Sequence, residues 1–410
     1  MRIVMFTVVA WASLLSGLIT STAQAQTQAQ KDDAKWIVER ITGVKWAAND
    51  PVMQQAYALA ASGNRAGIAA LATKQSQFLN ITVKNFGLKM STRDETDQIP
   101  LNDFTADIIG VTRDETDARE LLYGNFSYLP PNALSDMGAY VKNALQSQQL
   151  FSAVDDRKTD FGSQLERSNV QRVLSSSNDA VINPDPAGVL TSQTFMGAHA
   201  IAGTNRRVIE YTFREFMCIP IDQWADASAA DVRIARDVDR FPGGDNNRYE
   251  TTCKACHNMM DGFRGAFAKW TYENNTAKYS SVNRGSSDSK GIMNKYNQNS
   301  SVYPGGFITT DDSWINNATR GVNLSRFGWR GLDGRNPASA GNGANDFGHL
   351  IANSQRFSSC MAKRAFQEVC RKSLADSDFS VYQSMGTQFE ASGYNLKKLF
   401  QAAALNSRCK

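Results

Sequence analysis

The apolar positions of this chain recur with the spacing of helices more often than of strands. Asp50-Pro51 supplies a capping carboxylate and a proline at the first helical position, so the Ala-rich Val52–Ala61 predicts a helix. Ser62-Gly63-Asn64 then turns the chain. Ile68, Leu71, Ala72, Phe78 and Leu79 predict a second helix from Arg65 to about Lys84. Residues 133–150 repeat the amphipathic pattern, and Val208–Phe216 is a compact apolar segment. From Asp346 the pattern is helical to the end, closing in three short antiparallel pieces near 356–371, 376–389 and 394–406. Asp155–Pro186 is polar and turn-rich, Tyr272–Pro304 is rich in Asn and Ser, and Gly328–Gly348 is rich in glycine; these predict long irregular stretches. Strand signals are few and short. The fold class expected is mainly α, a multi-subdomain helical protein with long irregular loops.

The hexapeptide Thr-Arg-Asp-Glu-Thr-Asp occurs at 92–97 and again at 112–117. Each copy has the Thr-x-x-Glu spacing of a capping box, so each predicts a helix start. The interval between them does not recur, and no repeat architecture follows.

The beginning of the chain bears on compartment. Arg2 precedes an apolar core, Ile3–Ile19, and Ala23-Gln24-Ala25 has the small-x-small pattern of a cleavage site. This predicts a Sec-type signal peptide over residues 1–25, and hence a periplasmic or extracellular, cell-surface protein of a bacterium. Removing 25 residues from 410 leaves 385, room for two or three helical subdomains, and no later apolar run is long enough to span a membrane. Lys+Arg 44 against Asp+Glu 40 is nearly balanced, without a basic stripe, which argues against nucleic acid as a partner.

Export also changes the meaning of the six cysteines, because unused thiols pair under oxidising conditions. Cys253 and Cys256 stand three apart, and His257 follows at once. On a helix the two sulfurs share a face, where they can form thioethers to the two vinyl groups of one haem while the adjacent imidazole reaches the iron. Zinc would want a second cysteine pair, and only His199 and His349 are spare. A thioredoxin-like site would follow a strand, whereas Gly-Gly-Asp-Asn-Asn-Arg before the motif reads as a loop. The expectation is one covalently attached haem c, with Cys253 and Cys256 as anchors and His257 as the proximal ligand.

Phe263, Phe267 and Trp270 fall at i, i+4 and i+7, one helical face that is either a wall against the porphyrin or an ordinary core stripe. Arg248, Lys254 and Arg264 are near enough in sequence to meet a propionate, or are solvated charges. The sixth iron ligand stays open between His199 and Met293, with His349 third; a vacant position would suit peroxide or oxygen chemistry.

Four thiols are left to pair. If 356–371 is one helix, Cys360 and Cys370 are about 15 Å apart along it, beyond the roughly 7 Å a disulfide spans. A third closing helix parallel to the first would end near Cys370. That favours Cys370–Cys409 and leaves Cys218–Cys360.

Residues 253–267, Cys-Lys-Ala-Cys-His-Asn-Met-Met-Asp-Gly-Phe-Arg-Gly-Ala-Phe, resemble the haem segment of the planctomycete-type cytochrome c-like proteins. These are exported multi-domain chains built from domains of unknown function. Residues 101–130 and 200–216 resemble the helical domain that precedes the haem segment in that group, and 347–370 with 389–407 its C-terminal domain. Where the group usually has proline after Met-Asp, this chain has Gly262. The resemblance implies an exported, mainly helical haem protein. The division expected is a signal peptide over 1–25, an N-terminal helical domain over 26–154, a connecting region over 155–217, a haem-binding domain over 218–345 and a C-terminal helical domain over 346–410. The function expected is electron transfer by a mono-haem cytochrome c docking to redox protein partners in a larger assembly. A peroxidase-type haem enzyme and a structural haem-containing subunit are the alternatives.

Overall fold

The computed structural model describes residues 27–157, 159–280, 291–332 and 339–410. The expected signal peptide lies outside the described residues, as do 281–290 and 333–338 within two of the expected loops. The fold is mainly α, with small sheets.

Gln28–Thr42 starts on a capping box: Thr27 accepts from the Gln30 amide, and the Gln30 side chain accepts from the Thr27 amide. Pro51–Ala61 follows, capped by Asp50. The helix expected from Arg65 to Lys84 is divided. Arg65–Ala72 stops at Thr73, and the chain resumes as a π-helical turn, Phe78–Val83, that runs into Lys84–Ser91. The break has a local cause: Thr73 and Gln75 side chains donate back to the carbonyls of Ala70 and Leu71, in competition with the next helical turn. Residues 133–150 likewise divide among Pro131–Leu134, Met137–Lys142 and Ala144–Asp156.

Both hexapeptide copies end helices instead of starting them. Thr92 is the residue that closes Lys84–Ser91, and Thr112 sits inside Asp103–Asp114 with its hydroxyl donating to the Ile108 carbonyl at 2.7 Å. Glu95 and Glu115, equivalent in the two copies, both take the left-handed backbone, at φ 50° and 55°. The apolar run from Phe104 claims Thr112 for the preceding helix, which Asn102 starts by accepting from the Thr105 amide.

The closing unit is Gln355–Cys370, Phe379–Ala391 and Leu396–Leu405, close to the expected spans. Its first helix is continuous, and disulfides join Cys218 to Cys360 and Cys370 to Cys409.

Strands appear in all three stretches expected to be irregular. Ala180–Ile182, Arg172–Ser175, Thr276–Tyr279 and Trp270–Glu273 lie side by side in that order, with the central pair parallel and the outer pairs antiparallel. Asn274-Asn275, a loop signal in sequence, closes the hairpin with φ of 51° and 57°. Asparagine tolerates this left-handed backbone, and two in succession make the primed turn whose twist suits a two-residue hairpin. Ser313–Ile315 pairs with Ala340–Asn342, and Ser127–Leu129 with Glu166–Ser168.

One apolar cluster runs from Ala34 to Cys409 and crosses the boundaries expected at 154, 217 and 345. Helix Arg206–Met217 is central to it. Its Phe213 meets Trp224, Phe263, Phe327, Trp329 and Phe347 with ring centroids 4.1–6.3 Å away. Among the described residues no helix is long and apolar enough to cross a membrane.

The disulfides close loops of 142 and 39 residues. Serine at both Cys218 and Cys360 should therefore lower the unfolding free energy by about 5 kcal/mol, and at both Cys370 and Cys409 by about 4 kcal/mol. Urea titration of the two variants measures the order, and a smaller loss for the longer loop contradicts it.

Candidate functional site

The Cys-x-x-Cys-His run lies where a π-helical segment, Tyr249–Cys253, passes into helix Lys254–Phe263. Such π turns concentrate at functional positions because they reset the angular placement of side chains. Upstream, Tyr249 packs with Ile234 and Val238, and Cys253 rests against this cluster. Downstream, strand Ser313–Ile315 passes close to two glycines, Gly262 in the helix and Gly265 just beyond its end. A Cβ on Gly262 would stand 2.9 Å from the Ile315 carbonyl oxygen, and one on Gly265 would stand 2.0 Å from that of Ser313. Gly262 is thus a close-packing position, and a proline there would clash.

Phe263, Phe267 and Trp270 do not share one helical face. The helix ends at Phe263, Arg264–Phe267 is a 3-10 turn, and Trp270 opens a strand. All three side chains are wholly buried core. Phe263 packs on Phe213, Trp314 and Phe347, and Phe267 on Phe347. Trp270 packs on Tyr279 and donates its indole N–H to Asp185 at 3.1 Å. The tight passage under Ser313 at Gly265 changes the helical repeat on which a single stripe depends.

With four cysteines in disulfides, Cys253 and Cys256 are the free thiols, both half-buried. Burial pushes the Cys256 thiol up, and the charges of Glu210 and Asp222 add to the effect. Among the described residues, no three His, Cys, Asp or Glu side chains gather as a zinc cage requires.

His257 is held from one side. Its Nδ1 is shut off from solvent, 3.7 Å from Asp261 Oδ1 one turn along, while the side chain as a whole keeps 26% exposure. The Asp261 carboxylate is wholly buried. Arg206 donates to both its oxygens, to Oδ2 at 2.8 Å, and the Ala235 amide donates to Oδ2 at 3.1 Å. The same guanidinium forks onto Asp237 at 2.8 Å twice. Burial alone would raise the Asp261 pKa; Arg206, with help from His257 and Arg264, overrides it and holds the group far below the usual carboxylate range. A neutral His257 would carry its proton on Nδ1, toward this fixed negative charge, and leave the Nε2 lone pair for a ligand.

The other expected residues lie in separate surroundings. His199 is buried between Phe195 and Tyr211, at centroid distances of 4.5 and 4.1 Å, and burial pushes its imidazole down to about 3. His349 stacks on Tyr123 at 3.8 Å. Met293 lies beside Ala268, Ile292 and Tyr296, with its amide donating to the Ala268 carbonyl. Arg264 is no solvated charge: it is buried, donates to Thr309 and lies over the Tyr296 ring. Arg248 is exposed, and Lys254 pairs with Glu250 at 2.7 Å. Sequence reasoning missed Asp261, Arg206 and Asp237. The four-residue step from His257 to Asp261 was the available signal, since it places the two on one helical face.

No protein family, curated protein or solved structure matches this chain.

Arg206 is the only side chain that donates to the Asp261 carboxylate among the described residues. Arg206→Met should therefore cost about 3–5 kcal/mol of stability by leaving a buried charge uncompensated. Arg206→Met combined with Asp261→Leu should recover part of that loss. Urea unfolding followed by circular dichroism tests both, and a double variant no more stable than Arg206→Met counts against the pairing.

Proposed function

We propose that this chain is an exported mono-haem c-type cytochrome that transfers electrons as part of a larger redox assembly. The observation that carries the reading is the division of the cysteines: two disulfides consume four, and the free pair is the one three apart with histidine next to it. The donor set fits the group. Cys253 and Cys256 are half-exposed thiols within one helical passage, and His257 has its inner nitrogen against a carboxylate with the rest of the ring partly open.

Cys253 and Cys256 would hold haem c by thioethers, and His257 would ligate its iron. When bound, the haem supplies a one-electron couple. Asp261, 3.7 Å from His257 Nδ1, would favour the tautomer protonated at that nitrogen, and Arg206 keeps Asp261 ionised. The likeness of residues 253–267 to the planctomycete-type cytochromes adds to the reading, and the two disulfides accord with export.

The test is an alkaline pyridine spectrum and intact mass of the protein made in a host that attaches haem c. One haem per chain is expected, lost in the Cys253→Ala, Cys256→Ala double variant. An unmodified chain contradicts the reading. A low-spin iron is expected; a high-spin iron that reacts with peroxide would move the function to a peroxidase-type enzyme.

A further inference from the structure

Away from residues 253–257, we propose that the cleft beside the Trp270–Tyr279 hairpin binds a small aliphatic dicarboxylate. The cleft has a volume of about 320 Å³, enough for a compact organic ligand. Its floor is one face of the sheet. Thr271 pairs with Lys278 and Glu273 with Thr276 across the hairpin, and directly opposed residues of an antiparallel pair share a face. Its facing wall is Ile292–Lys295 with Gln298, and no residue of the Cys-x-x-Cys-His run lines it.

Two cationic residues line this cleft, Lys278 on the hairpin and Lys295 on the Asn294–Tyr296 turn. Lys278, on the floor, is 8% exposed and has no hydrogen-bond or ion-pair partner among the described residues. Its stem is packed away and its ammonium has no anion beside it among the described residues, so an anionic ligand could pair with it. Lys295, on the facing wall, donates to the Ala200 carbonyl at 3.2 Å and to Asn205 Oδ1 at 2.7 Å. Both acceptors are neutral, so its charge is solvated but not cancelled, and burial pushes its amine down to about 8. The acid lining the cleft is Glu273, which is exposed. Among the described residues, two cations against one exposed acid give the lining a net positive charge.

Two separated ammonium groups suit an anion with charge at both ends. The apolar side chains of Ile292 and Met293, between polar neighbours, suit a carbon skeleton in place of a compact inorganic ion. The Thr271 hydroxyl on the floor donates to Glu273 at 3.4 Å.

Calorimetric titration of the purified full chain with succinate tests this, with succinamide as the uncharged isostere and inorganic phosphate as the compact anion. Succinate should bind saturably at one site and more tightly than phosphate, and succinamide should not bind. Lys278→Met should weaken succinate by about tenfold or more, the effect of losing one charge-assisted hydrogen bond. Lys142→Met, at an exposed position, should leave it unchanged. In the unaltered chain, succinate should protect Lys278 and Lys295 from amine acetylation, read by peptide mass spectrometry, and leave Lys142 unprotected. Absence of saturable succinate binding, phosphate bound as tightly as succinate, or equal acetylation of the three lysines with and without succinate overturns the proposal.

Discussion

The buried ion pair of Arg206 and Asp261 is the constraint on which the arrangement of the candidate site depends. Taking a carboxylate out of water costs several kcal/mol, so Asp261 can sit in the core only where strong donors replace its hydration. Arg206 is the first residue of the central helix, and Asp261 lies in the helix that carries the cysteine motif. Their contact sets the position of one helix on the other. The Ala235 amide on the same carboxylate draws in the loop that packs beside Cys253, and His257 stands one turn away. One charge thus organises both the packing beneath the motif and the electrostatics at its imidazole.

Other buried carboxylates work in a similar way over long sequence distances. Asp185 accepts from the amides of Ala344 and Asn345 at the start of Gly343–Ala352, and from the Trp270 indole. Asp103 accepts from the amides of Gln193 and Thr194, which open helix Gln193–His199. Each places negative charge at the positive end of a helix and satisfies amides that would otherwise be orphaned. Each also joins segments that sequence reading had divided among separate domains. Shared caps of this kind are one reason why a single apolar cluster crosses the expected boundaries.

Local signals in the chain translated well where neighbouring residues decided the outcome. Asp50-Pro51 starts a helix, the closing three helices fall near their expected spans, and helix continuity between Cys360 and Cys370, with the third closing helix parallel to the first, led to the two disulfide pairs. The failures came where two local readings compete. Thr-x-x-Glu serves a helix start only if the threonine is free of the preceding helix, and Thr112 is not. Asn274-Asn275 reads equally as a loop or as a hairpin turn until flanking strands find their partners, which lie as far away as Arg172–Ser175.

By itself, the sequence determined the chemistry available at the candidate site: two thiols and an imidazole within five residues, made distinct from four other cysteines by spacing alone. That much is covalent and local. What surrounds those groups was decided only by the tertiary structure. Residues 206, 237 and 261 meet because two helices and a loop pack together, and Phe263, Phe267 and Trp270 are buried from three different elements. The physical reason is the same in each case. Burial and charge pairing depend on distances between segments far apart in the chain, and no short-range pattern encodes those distances.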